Sequence, residues 1–373
     1  MGKRGVNGLT ACVFACLFAF STDVVHAEET DGYFIGIKDS SWLEREEIET
    51  SYELDVEYEY EELSVVYASM THEEVAELER SEQIDYIEKD QVVNVEQQEV
   101  PWGIEHIGAP SYHSNGFTGE GIDVAVLDTG IQAEHPDLNV VGGESFVYED
   151  PYVDSNGHGT HVAGTIAALD NEYGVVGVAP EANLYAVKVL AGNGSGSLNS
   201  IIQGIYWAIE NDMDVMNLSL GSSTGSTVMS EAIYAAEEAN IVVVAAAGNT
   251  GASATGGSTV SYPAAYDSVV AVGATNQSNG RAPFSSVGSE LTIMAPGDQI
   301  YSTYGADGYQ TLSGTSMAAP KVAGFAALLR EQNPHASASE LRQMMIDTAM
   351  PLGEHHEYGH GLMQLEAAFG EIE

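Results

Sequence analysis

Past an apolar run near the N-terminus, hydrophobic residues recur along the chain as short unbroken blocks separated by longer amphipathic stretches. Residues 122–127, 184–189, 215–218, 241–246 and 269–272 form such blocks. A strand buried on both faces needs apolar side chains at nearly every position, so these runs predict central strands of a parallel sheet. Between them, residues 200–211, 229–240 and 316–332 have the wider hydrophobic spacing of helices. Strands alternating with helices predict an α/β domain, a mostly parallel sheet flanked by helices. Ligands of such sheets collect beyond the carboxyl ends of the strands. Asp128 ends one block, and Asn249 lies just past another.

Residues 28–96 follow a different pattern, dense in Glu and poor in Gly. They read as strand 33–37, helix 42–49, strands 54–60 and 63–68, helix 71–79 and strand 84–87. Thr71 with Glu74 three residues on is a capping-box signature that supports the second helix. Glu53, Asp55, Glu57, Glu59 and Glu61 alternate at period two, which predicts a strand with one solvated acidic face. The order β-α-β-β-α-β is the split, ferredoxin-like α+β pattern. The chain therefore divides into residues 1–27, 28–96 and 97–373.

The first of these segments has the features of a secretory signal. Lys3 and Arg4 precede an apolar run over residues 9–20, which is too short to span a membrane, and Ala27 offers a small residue for cleavage. Both cysteines, Cys12 and Cys16, lie within it, so the secreted product is expected to lack thiols and disulfides. The sequence around Leu9 and Cys12 also offers a lipoprotein-type cleavage site, which would tether the protein by a lipid at the cell envelope. Charge narrows the partners. The whole chain has a formal net charge of -45, and beyond Glu96 only Lys188, Arg281, Lys321, Arg330 and Arg342 are basic. Such a surface repels nucleic-acid phosphates and anionic membranes, and it suits a salty or alkaline exterior.

The candidate chemistry lies in three stretches. Asp128 follows the block 124–127 and is followed by Thr129 and Gly130; His158 sits in Asn156-Gly157-His158-Gly159-Thr160-His161; Ser316 sits in Gly314-Thr315-Ser316-Met317-Ala318. Each alone reads as a turn. Together they supply a nucleophile, a general base and an acid to orient the base, in one of the chain orders known for that geometry. Ser316 opens a predicted helix, where backbone donors suit a developing anion. Asn249 is the candidate side-chain donor to the tetrahedral oxyanion. These three stretches resemble those of the subtilisin family of secreted bacterial serine proteases, alkaline subtilisins in particular, and the resemblance extends from about Gln98 to the end.

The resemblance implies a monomeric serine endopeptidase acting on proteins and peptides, with Asp128, His158 and Ser316 as its triad and His161 packed inside its helix rather than binding zinc. Residues 28–96 would be an inhibitory and folding-assisting propeptide, removed near Glu96 and Gln97. An extended substrate would lie between two backbone edges, Gly192, Gly194, Ser195 and Gly196 on one side and Ser219, Leu220 and Gly221 on the other. Ala246 and Gly248 would complete the S1 wall with Ser261 near its base. Because none of these is charged, a broad preference for large apolar P1 residues follows. Structural calcium would be held by Gln98, Asp137, Leu169, Asn171, Tyr173 and Val175, and a second cation by the carbonyls of Ala264, Tyr266 and Val269. The alternatives are a catalytically weak, peptide-binding pseudoprotease and the lipid-tethered envelope protease. A serine esterase is disfavoured by the lack of a Gly-x-Ser-x-Gly elbow.

Overall fold

The computed structural model describes residues 30–38, 50–52, 54–91 and 98–370. The chain separates into two compact units, Met1–Val95 and Glu96–Glu373. The expected signal, the helix at 42–49 and the cleavage point near Glu96 fall outside the described residues.

In the first unit, β1 (Asp31–Ile37), β2 (Asp55–Tyr60), β3 (Val65–Met70) and β4 (Ile84–Lys89) form one sheet in the order β2-β3-β1-β4. Their pairings are antiparallel. Helix α1 (His72–Leu78) lies between β3 and β4 in the chain, and its capping box is formed: Thr71 Oγ1 accepts the Glu74 N–H at 3.3 Å while Glu74 Oε2 accepts the Thr71 N–H at 2.6 Å. The core is small, built from Tyr33, Ile35, Val66, Ala68, Met70 and Leu78. Asp55, Glu57 and Glu59 are exposed as expected, but Tyr58 and Tyr60 are exposed as well, because β2 is an edge strand.

The second unit is built on seven parallel strands: β5 (Asp123–Asp128), β6 (Val140–Ser145), β7 (Asn183–Lys188), β8 (Val215–Leu218), β9 (Val242–Ala246), β10 (Val270–Thr275) and β11 (Ile293–Pro296), ordered β11-β10-β9-β8-β5-β7-β6. The continuous apolar runs have a direct cause. Within β5, Val124 and Val126 enter one core while Ala125 and Leu127 enter the other. The first core includes α2 (His158–Ala167) and α5 (Thr315–Gln332); the second includes α3 (Leu198–Glu210) and α4 (Thr227–Glu238). Helices thus cover both faces, and alternation is lost. An antiparallel hairpin, β12 (Ile300–Tyr304) with β13 (Gly308–Leu312), and helix α6 (Ala338–Asp347) complete the main elements.

The strand order places the site. Chain connections leave β5 toward β7 on one side and reach β8 on the other, so a crevice opens beyond the carboxyl ends of these strands. Helix α5 runs through the core, with residues from Met317 to Arg330 buried almost throughout. The basic residues of this unit are withdrawn from the surface. Lys188, Lys321 and Arg330 are buried, and Arg281 and Arg342 are half-buried. Among the described residues, no helix is long and apolar enough to cross a membrane.

Candidate active site

Asp128 is the last residue of β5 and fully buried; His158 is the first residue of α2. Asp128 Oδ1 accepts from His158 Nδ1 at 2.7 Å and from the Thr129 N–H at 2.7 Å. A carboxylate on Nδ1 fixes the tautomer and leaves Nε2 free to accept a proton. Burial disfavours the imidazolium, but the charge and hydrogen bond of Asp128, with Asp154 further off, outweigh it, and the pKa of His158 rises above its ordinary value.

The start of α2 exposes a need that its own sequence does not meet. Its N-cap is Gly157, held at φ 87° with no side chain to offer. Asp154 does the capping instead: its carboxylate accepts the N–H groups of Asn156 at 3.1 Å, Gly157 at 2.9 Å and Thr160 at 2.9 Å. It also accepts the Thr129 hydroxyl at 2.9 Å, and that hydroxyl takes the Gly159 N–H at 3.0 Å. Asp154 therefore locks the loop of Asp128 to the helix of His158. Sequence reasoning did not find it. The available signal was an acid a few residues before a helix whose cap is glycine.

Ser316 lies in the first turn of α5, and Pro320 follows four residues later inside the same helix. Proline has no N–H, so the Ser316 carbonyl loses its helical partner. The Ser219 hydroxyl takes that place, donating to Ser316 O at 3.0 Å, while Ser316 Oγ donates to the Ser219 carbonyl at 3.2 Å. Ser316 and the edge after β8 are thus reciprocally bonded. A Ser316 hydroxyl that gave its proton to an imidazole would first have to leave that carbonyl.

Asn249 follows β9, and its amide is oriented from behind. Its Oδ1 accepts the Thr315 N–H at 2.9 Å and the Thr315 hydroxyl at 3.0 Å. With the oxygen committed, the NH2 group is presented toward the Gly314 side, where a Cβ would stand 3.5 Å from Nδ2. Thr315 is a second residue that sequence reasoning passed over, since a threonine beside the nucleophile carries no signal of its own.

The groove beside these groups has two lobes. One, of about 700 Å³, is lined by His158, Leu190, Gly194, Ser195, Gly196, Leu220, Met229 and Tyr262 among others. The other, of about 570 Å³, is lined by Ser219, Leu220, Gly221, Ala246, Gly248, Asn249, Ser261 and Ser316, with no charged residue in its wall. Glycine sets the width of the second. A Cβ at Gly221 would stand 2.5 Å from Ser261 Oγ, and one at Gly248, itself at φ 108°, would stand 2.9 Å from it. Gly192 lies at the far end of the first edge, where Asn156 Nδ2 donates to its carbonyl at 3.0 Å.

The residues expected to hold calcium also gather. Asp137 is fully buried and accepts the Val175 N–H at 2.9 Å, the Tyr309 hydroxyl at 3.1 Å and Asn171 Nδ2 at 3.3 Å. Burial pushes its carboxyl up to about 6 against those bonds. Gln98 Nε2 reaches the carbonyls of Leu169 at 2.5 Å and Val175 at 3.1 Å, and Asn171 Oδ1 accepts the Tyr173 N–H at 3.0 Å. The Asp137 carboxylate, the side-chain amides of Gln98 and Asn171 and the carbonyls of Leu169 and Val175 lie in one network, and their oxygens are of the type a hard cation takes. In the second trio, the Tyr266 carbonyl accepts the Val269 N–H at 3.0 Å and Ala264 is buried. His161 is turned away from His158. Its Nε2 faces the carbonyls of Ile300 at 3.1 Å and Gln310 at 3.0 Å, and burial lowers its pKa to about 4, leaving it neutral.

Comparison with known proteins gives a consistent result. The subtilase family model matches residues 119–361. The chain is 46% identical to an alkaline protease of Alkalihalobacillus alcalophilus, covering 96% of this chain and 97% of that protein. It is 48% identical to a thermostable alkaline protease of Halalkalibacterium halodurans, covering 97% and 98%. It is 50% identical to subtilisin E of Bacillus subtilis, covering 84% and 82%.

Proposed function

The chain belongs to the subtilase family and is a subtilisin-like serine endopeptidase; on that premise we propose that Asp128, His158 and Ser316 are its catalytic triad. The observation that carries this reading is the 2.7 Å bond between Asp128 Oδ1 and His158 Nδ1, made at the carboxyl end of β5, with His158 and Ser316 lining the two lobes that meet at Ser219, Leu220 and Gly221. His158 Nε2 takes the Ser316 proton as Oγ attacks the scissile carbonyl, then returns it to the leaving amine. The oxyanion is met by Asn249 Nδ2 and the Ser316 N–H, which point at the charge that develops in the transition state. Water, deprotonated by the same imidazole, then releases the acyl group.

The uncharged second lobe supports a preference for large apolar P1 side chains. The two glycine-rich edges support an extended substrate paired through its main chain. Gln98, Asp137, Leu169, Asn171, Tyr173 and Val175 would hold a calcium ion, which when bound tethers the N-terminal segment to the loop after α2. Residues 1–27 would direct secretion of a monomer. Residues 28–96 would serve as an inhibitory propeptide.

Expression of the full chain beside Ser316→Ala tests this reading, with N-terminal processing and casein hydrolysis followed together. Wild type should be cut near Glu96 and digest casein while the variant stays full-length and inert. A variant that matures as fast as wild type contradicts the self-processing mechanism. A wild type that binds casein without cutting it favours the peptide-binding pseudoprotease.

A further inference from the structure

We propose that Glu149 is a positioning residue that, through Lys188, fixes the outer substrate edge to the loop following Asp128. The inference rests on the protease reading and concerns how that site holds long substrates.

Lys188 ends β7 directly beside Asp128, its register partner in the sheet. Its side chain is fully buried. The ammonium donates at short range to the Thr129 carbonyl and at 3.4 Å to that of Val153. A buried cation requires a compensating anion, and Glu149 Oε2 stands 3.1 Å from Nζ. Glu149 itself is partly open to solvent, at 42%. Its bond to Lys188 holds its carboxyl below the usual range, so it is ionised throughout the working pH of a neutral or alkaline enzyme.

The same carboxylate has a second task. It accepts the Gly192 N–H, at 3.1 Å to Oε2 and 3.4 Å to Oε1. Asn156, two residues before His158, takes the Gly192 carbonyl. Both polar groups of Gly192 are therefore gripped by the loop that carries the base. The edge is braced only within itself elsewhere, by the Ala191 N–H on the Ser195 carbonyl, the Gly194 N–H on the Ala191 carbonyl and the Ser195 N–H on Asn193 Oδ1, and none of these bonds ties it to the loop of Asp128. Gly192, Gly194 and Gly196 alternate along it, Gly194 sits at φ 78°, and glycine surrenders more backbone freedom on ordering than any other residue. An edge meant to pair with an extended peptide must offer its N–H and C=O groups at fixed spacing. Glu149 fixes the position of the edge from outside, at Gly192, and Lys188 anchors it to the Asp128 loop.

Substrates that occupy the whole edge should depend on Glu149, and substrates that occupy only S1 should not. The test compares wild type, Glu149→Ala and Glu149→Gln on a tetrapeptide anilide and on a single-residue tyrosine ester. For Glu149→Ala, kcat/KM on the tetrapeptide should fall about tenfold, the value of one lost charge-assisted bond, with the loss chiefly in KM. On the ester it should stay within about twofold. Glu149→Gln keeps an oxygen for the Gly192 N–H, so it should recover part of the loss; it also carries the test if the alanine variant does not fold. Equal losses on both substrates, or none on either, would overturn the proposal. A wild type inactive on both would instead count against the protease reading.

Discussion

Lys321→Met removes a fully buried ammonium from α5, one turn beyond Ser316. The lysine stem packs against Gly103, close enough that a Cβ there would stand 2.6 Å from Cε. Its Nζ donates to the Met317 carbonyl at 3.3 Å. Burial lowers its pKa from 10.5 to about 7. The direction of the effect follows from that. Below about 7 both folded and unfolded chains carry the proton, and the fold bears the whole desolvation cost. Between about 7 and 10.5 the unfolded chain binds more protons, so stability rises with pH. Above 10.5 the cost is gone. At roughly 1.4 kcal/mol per pH unit, the full interval amounts to about 5 kcal/mol as an upper figure. Methionine has similar shape and no charge, so the variant should gain at neutral pH and gain little at the alkaline end. Thermal unfolding in the Ser316→Ala background, which prevents autolysis, at pH near 6.5 and near 10.5 measures this. With about 2–4 °C per kcal/mol for a domain of this size, the variant should melt roughly 5–15 °C higher at the lower pH. The two proteins should converge within about 2 °C at the higher pH. A difference that is the same at both pH values would refute the reasoning.

Other consequences follow from the site. Asn249→Ala should lower kcat by about 10²–10³, the range known for loss of one such donor in a subtilisin, and a loss under about tenfold would remove Asn249 from the oxyanion role. The acid limb of kcat/KM against pH should report a pKa above the ordinary histidine value, because Asp128 more than offsets the burial of His158; a limb below that value contradicts the assignment. EDTA should lower the melting temperature by several degrees if Asp137 and its neighbours hold calcium, and an unchanged value removes the site. Met317 is buried directly after Ser316. Peroxide should therefore inactivate wild type by placing sulfoxide bulk there, and spare Met317→Ala.

How far the sequence could be read depended on whether a residue's role is local. The strands expected at 122–127 and 184–189 appear one residue away, as Asp123–Asp128 and Asn183–Lys188, and the strand at 215–218 is unchanged. These blocks are buried on both faces, and no alternative element suits them. Strand β6, with the sequence Val-Val-Gly-Gly-Glu-Ser, was not legible because an edge strand need not be apolar, and β11, the other edge strand, because it ends in proline. The hairpin β12–β13 carries exposed polar residues on its second strand and gave no block. At the site, Asp128, His158, Ser316 and Asn249 were visible because their neighbours are distinctive. Asp154, Thr315, Glu149 and Lys188 were not. Thr315, Glu149 and Lys188 act through partners distant in the chain that their neighbours do not announce, and Asp154 shows its role only once the glycine N-cap of α2 is known.

The central claim is that Ser316 is a nucleophile activated by His158. Labelling with a fluorophosphonate, read by peptide mass spectrometry, tests it most directly. Wild type should gain one phosphonyl group on the peptide carrying Ser316, and His158→Ala should react slower by at least about a thousandfold. Label on any other residue, or equal rates in the two proteins, would contradict it.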